Sequence, residues 1–423
     1  MRALYSILFY TLIPFIIIRL LWRSIKAPDY RHRWNERFAF YPQANSKIDI
    51  WFHAVSVGEA EALFPLVRKL LQNHPEAKLL VTTTTPTGSA RVKAVLKDSV
   101  NHVYLPYDTP DAVKRFIKSF SPQMAVILET EIWPNLFACC GKNNIPIYII
   151  NARLSEKSSR GYQKIPSLVL PTLAQTKLIC AQTQEDAARF IAIGAPREKV
   201  KMLGNIKYDV EISQILINQG HHLKADLFYG RFVWLIASTH KGEETIFVEL
   251  YKELKEKIPD LLLVIVPRHP ERFGEVKKLC ELHQSAVTTR TSGNAIDSTT
   301  DIYLIDTMGE LKMFYAAADI AFVGGSMVPT GGHNIVEAAA VGVPVMFGPF
   351  MANFKEIAQR VLQQHAAIQC LNREDIATAL MTLFSKPAYR QDLIANGKQF
   401  IEQNQGAMDQ IYATLEQAFI QKH

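Results

Sequence analysis

The chain has 423 residues, of which 48% are hydrophobic and 21% charged, with a formal net charge of +7 and a pI near 9.0. That length predicts two domains of roughly 200 residues rather than one core, and the composition excludes a disordered, fibrous or disulfide-stapled protein. Seven basic residues (Arg2, Arg19, Arg23, Lys26, Arg31, Arg33, Arg37) against Asp29 and Glu36 put most of the excess charge into residues 1–37, so the near-neutral body needs no nucleic acid as a partner.

The first element is an apolar run, ALYSILFYTLIPFIIIRLLW, Ala3–Trp22. About 20 helical residues cross a bilayer core; this run is just long enough, and Pro14 and Arg19 interrupt it. No small-residue cleavage site follows, so a cleaved signal peptide is not expected. The basic flank suits anionic headgroups and puts the body on the cytoplasmic side. The run therefore reads as a membrane anchor, spanning or interfacial, in preference to the buried first helix of a soluble protein.

Behind it, short apolar runs alternate with helical patterns. Ile48–His53, Lys78–Thr84, His102–Leu105, Met124–Leu128, Ile145–Ile150 and Leu178–Gln182 are predicted strands, with helices such as Glu59–Gln72 and Asp111–Ser119 between them. The alternation loosens over Asn205–Phe228. It restarts with Phe232–Ala237, Leu261–Val266, Asp301–Ile305, Asp319–Val323 and Val343–Phe347. This is a βαβ series, hence an α/β protein of two doubly wound parallel sheets. The expected division is an anchor over 1–37, one Rossmann-like domain over 38–210 and a second over 211–423, with a cleft between the two. The last helical stretch, Tyr389–Gln421, is expected to pack back across the domains. The cysteines 139, 140, 180, 280 and 370 form no C-x-x-C and read as reduced thiols of a cytosolic body, with no zinc site.

In such sheets ligands bind at the C-terminal ends of the strands, and every conspicuous motif lies at such an end. GGSMVPTGGHNIVEAAAVGVPVMFGP, Gly324–Pro349, pairs glycines that permit close backbone approach with a helix start near Asn334. Glu337, one turn on, suits ribose hydroxyls; the plain alternative is a capping box of Asn334 and Glu337. VPRHPER, Val266–Arg272, offers Arg268 to a phosphate or base carbonyl, or is a proline-stiffened loop. DTMGEL, Asp306–Leu311, is a nucleotide-facing turn or an ordinary strand-to-helix turn. ILETEIWPNL, Ile127–Leu136, ends a wholly apolar strand in Glu129 and Glu131, which is costly unless the acids are paired or functional. Lys207, in GNIKYD, either offsets charge on a leaving phosphate or is a solvated lysine. TTTTPTGSAR, Thr82–Arg91, is a ligand turn or a capped one.

In FHAVSVGEAEAL, residues 52–63, Ser56-Val57-Gly58-Glu59 reads as a capping box. Glu59 at that helix start could equally take a proton from an attacking hydroxyl. Two α/β domains, a nucleotide motif in the second half and acids in the first imply group transfer from an activated sugar. The chain has no D-x-D, no P-loop motif and no G-x-S-x-G, so a metal-bridged nucleotide-sugar site, a P-loop NTPase and a serine hydrolase are not indicated.

APDYRHRWNERF, HAVSVGEAEA, TTTTPTGSARV, VYLPYDTPDA, LETEIWPNL, NARLS, PRHPERF, DTMGEL and GGHNIVEAA occur in this order, and the set resembles the 3-deoxy-D-manno-octulosonic acid (Kdo) transferases nearly end to end. The loop before GGHN departs from the family pattern, with Thr330 where a charged residue is usual. The resemblance implies a GT-B fold and an inverting, metal-independent transfer of Kdo from CMP-Kdo to lipid IVA, with no cofactor, at the cytoplasmic side of the bacterial inner membrane. It implies Glu59 as the general base, Glu129 and Lys207 as transition-state stabilisers, and three CMP-contacting segments: Pro267 and Arg268; Met308, Gly309 and Glu310; and Asn334, Ile335, Val336 and Glu337. Two competing readings remain: another GT-B nucleotide-sugar enzyme, such as a UDP-sugar transferase or epimerase, and a membrane-anchored binding protein without activity.

Overall fold

The structure, a computed structural model, describes residues 1–41, 47–210 and 212–421. It divides into two compact units, Met1–Asp209 together with the segment from Gln405, and Val210–Asn404.

The first unit opens with helix α1 (Arg2–Lys26) and alternates β1 (Ile50–His53), α2 (Val57–Asn73), β2 (Leu79–Thr83), α3 (Pro86–Leu96), β3 (Asn101–Tyr104), α4 (Pro110–Phe120), β4 (Met124–Leu128) and α5 (Pro134–Lys142). It continues through β5 (Ile147–Ala152), α6 (Glu156–Tyr162), α7 (Pro166–Leu173), β6 (Thr176–Ala181), α8 (Gln184–Ala192) and β7 (Val200–Met202). The seven strands form one parallel sheet, β3-β2-β1-β4-β5-β6-β7. Because side chains alternate along a strand, Ile50 and Phe52 of β1 enter the core on one face with α2 and α3, while Trp51 enters the core on the other with α4 and α5.

The second unit runs α9 (Gln214–Asp226), β8 (Phe232–Thr239), α10 (Glu243–Lys255), β9 (Leu261–Pro267), α11 (Phe273–Leu282), β10 (Val287–Thr289), β11 (Ile302–Leu304) and α12 (Leu311–Ala317). Then come β12 (Ile320–Val323), α13 (Val336–Val341), β13 (Val345–Phe347), α14 (Lys355–Gln363), β14 (Ile368–Gln369), α15 (Arg373–Ser385) and α16 (Pro387–Asn404). Its sheet is also seven-stranded and parallel, in the order β10-β11-β9-β8-β12-β13-β14.

All the predicted strands are present. The additional ones, β7, β10 and β14, are two or three residues long, and all three lie at edges of their sheets. Segments that short carry no periodicity for a sequence to display.

The C-terminal segment differs from the expected 211–423 domain. The predicted helix 389–421 is two helices, α16 and α17 (Ala407–Ile420), broken at Gly406, whose φ is 100°. α17 belongs to the first unit: Met408, Ile411, Leu415 and Phe419 form an apolar stripe inside the core that contains Leu63, Leu66 and Leu70 of α2. Asp209 fixes its start, accepting from the backbone N–H groups of Gly406 and, at 2.7 Å, Met408.

Helix α1 is apolar over Arg2–Ile25, with a mean hydropathy of 2.0, yet it does not stand clear of its unit. Ser6, Phe9, Ile13, Ile16, Ile17, Leu20 and Ser24 form a sheltered stripe at helical spacing along most of its length, while Leu4, Ile7, Leu8, Phe15, Ile18 and Trp22 are exposed. Ser6 Oγ lies 3.1 Å from Asn135 Oδ1 of α5, and Tyr10 donates to Asp111 of α4 at 2.5 Å.

Candidate active site

In the first sheet the chain leaves β1 towards β2 and leaves β4 towards β5, on opposite sides. β1 and β4 are therefore neighbours at the point where the winding reverses, and ligands of doubly wound sheets bind beside such a point. Glu59 follows β1 and Glu129 follows β4.

Both readings of the Ser56–Glu59 motif have a structural counterpart. Ser56 is the N-cap of α2, accepting from Glu59 N at 3.4 Å, and Glu59 turns back to accept from Val55 N at 2.8 Å and Ser56 Oγ at 2.9 Å. Its carboxyl is nevertheless not that of an ordinary cap. Burial, then the negative charge of Glu129, raise its pKa above the usual range, against the hydrogen bonds to Val55 and Ser56 and the charge of Lys207. A raised pKa is what a carboxylate needs to act as a proton acceptor near neutrality.

Glu129 is held in a left-handed backbone conformation, φ 57°, which costs a non-glycine residue roughly 1–2 kcal/mol. Its N–H donates to Ile150 O of β5 at 3.0 Å, and its carboxylate meets Lys207 Nζ at 3.2 Å and Arg153 Nε at 3.1 Å. Lys207 sits in a single helical turn, Ile206–Tyr208, pinned by Asn205 Oδ1, which accepts from Lys207 N at 2.9 Å, and by Asn151 Oδ1, which accepts from Ile206 N at 3.1 Å. The lysine is thus an ion-pair partner at the strand ends and not a solvated side chain. Glu131, two residues on, accepts from Trp133 Nε1 at 2.7 Å, and its pKa is pushed up to about 7 by burial, with the charges of Glu59 and Glu129 adding to it.

In TTTTPTGSAR and RHRWNERF the side chains of Thr82, Thr85, Arg33 and Glu36 are bonded within the fold. Thr82 accepts from Trp51 Nε1 at 2.8 Å and meets His53 Nδ1 at 2.9 Å, and Thr85 caps α3. Arg33 donates to Ser89 at 2.8 Å and clasps Glu36, which accepts from Tyr104 N at 2.8 Å. His53 is fully buried, and burial lowers its pKa to about 4; it is a neutral core residue.

In the second unit the predicted segments lie at the C-terminal ends of strands of one sheet: Pro267 and Arg268 at β9, Met308 to Glu310 after its neighbour β11, and Asn334 to Glu337 after β12, with β8 between β9 and β12. Met308 is exposed and Gly309 has φ 89°, a state glycine adopts freely. Glu310 pairs with Arg290 at 3.0 Å and accepts from Thr307; although burial opposes it, these partners hold its pKa below the usual carboxylate range. Ile335 and Val336 point into the core, and Val336 N–H is taken by Asn334 Oδ1 at 3.0 Å. Asn334 and Glu337 therefore supply the polar side chains of that segment.

The glycine-rich turn after β12 does not leave its amides free for phosphate. The N–H groups of Gly325, Ser326 and Met327 donate at 2.7, 3.0 and 2.9 Å to the carboxylate of Glu243, which has no solvent exposure. Gly324 is needed for another reason: a Cβ there would lie 2.8 Å from both Ala237 O and Ser238 O of β8.

Imidazoles that sequence reasoning passed over also gather at these strand ends. His240, directly after β8, lies 2.8 Å from His333 of GGHN through their Nε2 atoms, with the rings stacked at 5.1 Å. His269 stands edge-on to His240 at 5.4 Å. Burial, then Arg268, lowers His333 to about 3; burial, then His269 and Arg272, lowers His240. The signal available for His240 was its place after a predicted strand, in STHKGEE. Among the described residues, no group of three or more His, Cys, Asp or Glu is arranged to hold a metal ion.

A family model described as 3-deoxy-D-manno-octulosonic-acid transferase (kdotransferase) matches residues 32–210, and one described as glycosyl transferases group 1 matches residues 237–400. The 3-deoxy-D-manno-octulosonic acid transferase of Haemophilus influenzae is 38% identical over 417 residues, 98% of each chain. That of Bordetella pertussis is 34% identical over 376 residues, 87% of this chain and 86% of the other. Among solved structures, a putative UDP-N-acetylglucosamine 2-epimerase from Listeria monocytogenes superposes with a TM-score of 0.52 over 89% of this chain and 97% of its own, at 15% identity. That likeness concerns the fold alone.

Proposed function

We propose a reaction course from one premise: this chain belongs to the 3-deoxy-D-manno-octulosonic acid (Kdo) transferase family and is a glycosyltransferase, of GT-B type, that transfers Kdo. The donor is CMP-Kdo and the acceptor is lipid IVA, a lipid A precursor. Transfer inverts the anomeric centre in a single displacement and needs no metal or other cofactor.

The observation that carries this reading is the grouping of Glu59, Glu129 and Lys207 at the ends of β1, β4 and β6–β7. Glu59 accepts the proton of the acceptor hydroxyl as that oxygen attacks the anomeric carbon of Kdo. The bond to the CMP phosphate breaks as the new bond forms, so the sugar passes through an oxocarbenium-like state. A positioned base contributes typically 10²–10⁴-fold to such a step. The Glu129–Lys207 pair stabilises the charges that develop, and Arg268 with the imidazoles of His240 and His333 supports the nucleotide. Pro267, Met308, Gly309 and Glu310 face the rest of CMP, and Asn334 and Glu337 take the ribose hydroxyls, with Ile335 and Val336 holding that segment from the core.

The acceptor is a lipid, and α1 suits it. A helix sheltered along one stripe and apolar along the other lies in the plane of a membrane surface. The body then faces the cytoplasm at the bacterial inner membrane, where tethering raises the local acceptor concentration.

The test is CMP release from CMP-Kdo with lipid IVA, comparing wild type with Glu59→Gln. A variant that melts normally and loses roughly 10²-fold or more in rate supports the base. A near-normal rate reduces Glu59 to its capping role and transfers the question to Glu131. No CMP release from the wild type overturns the donor.

A further inference from the structure

We infer that a pocket in the first unit, walled by α1, the β4–α5 loop and α7, receives an acyl chain of the lipid acceptor. The inference rests on the reaction proposed above and gives the lipid part of its acceptor a place. The pocket has a volume of about 390 Å³, within the range of sites that enclose small ligands.

Its lining has two characters. Ile132, Pro134, Ile165, Leu168 and Val169 make an apolar wall, whereas Thr130 and Glu131 are polar. A sugar buried along the apolar wall would leave its hydroxyls without partners, at a cost of about 1–3 kcal/mol each; a hydrocarbon chain leaves nothing unpaired. A folded protein partner needs far more surface than one such pocket. The polar end adjoins the acid cluster by sequence and by field: Thr130 and Glu131 follow Glu129 directly, and the charges of Glu59 and Glu129 both act on Glu131. A chain seated on the apolar wall therefore brings its own headgroup to the carboxylates.

Trp133, Tyr162 and Thr172 complete the lining together with Tyr5 of α1. The Tyr5 hydroxyl is hydrogen-bonded to Asp108, and Ser6 beside it bonds Asn135, so the α1 wall is fixed to the body. On the same helix Leu4, Ile7 and Leu8 are 60%, 61% and 57% exposed. Ile165 and Leu170, at the start and middle of α7, are 39% and 47% exposed. Exposed apolar side chains on both helices flanking a pocket mark a surface that meets lipid. An amphiphile in the membrane that holds α1 can pass one chain into the pocket without carrying it through water.

The experiment compares kcat/KM for the acylated acceptor with that for its fully deacylated form, using CMP release. Leu168→Trp fills the pocket, and Ile165→Asp puts a charge on its exposed end; thermal melting checks that each folds. The acylated-to-deacylated ratio is expected to fall by about tenfold or more in both variants, the scale on which apolar pockets discriminate. An unchanged ratio in both overturns the inference. A second readout is independent of turnover. An acceptor with a photoreactive group at its chain end is expected to label α7 or Tyr5 in the wild type and to lose that label in Leu168→Trp. Labelling confined to other segments also overturns it. If the wild type labels α7 but releases no CMP, the proposed reaction fails while the pocket stands.

Discussion

Lys207 Nζ lies 3.2 Å from Glu129 Oε1, and 78 residues separate the two in sequence. The lysine belongs to a helical turn after β7 and the acid to a strained position after β4. The same carboxylate is met on its other oxygen by Arg153 at 3.1 Å. Burial, and then nearby negative charge that includes Glu129, raises the proton affinity of Glu59 and Glu131.

If Glu129 and Lys207 act as one unit, their substitutions will not add. Glu129→Gln and Lys207→Met are each expected to lower kcat by about 10²-fold or more, and the double variant by little more than the worse single one. Additive losses in CMP release would mean that the two residues serve separate steps.

Glu131 predicts a pH dependence of stability. It holds its proton to about pH 7 in the folded chain and only to about 4.5 when unfolded. Between those values the folded chain binds more protons, so stability falls as pH rises through the window, by on the order of 3 kcal/mol for this group. Glu131→Gln, whose amide oxygen can still accept from Trp133, should melt higher than wild type at pH 8 and equally below pH 4.5. A constant difference in melting temperature across that range would count against this assignment.

Glu243 predicts a structural effect next to the donor segments. Its carboxylate accepts from three amides after β12 and from His240 N at 2.9 Å. Glu243→Ala leaves those buried donors unpaired, and a loss of roughly 3–5 kcal/mol is expected. Chemical denaturation measures it; a loss under about 1 kcal/mol would show that water replaces the carboxylate readily.

The position of α1 predicts topology. With Ser6 and Tyr10 bonded to α5 and α4, the in-plane seat proposed for α1 keeps its N-terminus on the same side of the membrane as the body. A tag at residue 1 should resist protease added outside intact spheroplasts and be cleaved after lysis. Cleavage in intact spheroplasts would mean that α1 leaves its seat and spans the bilayer.

The order and type of nearly every element were legible in the sequence, because buried parallel strands such as Met124–Leu128 and Leu261–Pro267 are continuous apolar runs with recognisable boundaries. The motif residues could also be placed at strand ends, since a carboxylate closing an apolar strand, as Glu129 does, is conspicuous in one dimension. What chemistry each motif serves was not decided there. Ser56 to Glu59 makes a capping box on any helix, and only burial, then the approach of Glu129, gives that carboxyl its raised pKa, against the charge of Lys207. Gly324 and Gly325 advertised a phosphate loop, but Ala237 O takes the Gly324 amide and Glu243, 82 residues from Gly325, takes the next three. The pairing of His240 with His333, the return of α17 to the first core and the seat of α1 likewise join residues far apart in the chain. The sequence alone determined the α/β elements, their order and the candidate residues, because periodicity and turn chemistry are local. Only the tertiary structure decided which of those residues meet, because fields, burial and hydrogen bonds depend on distance in space.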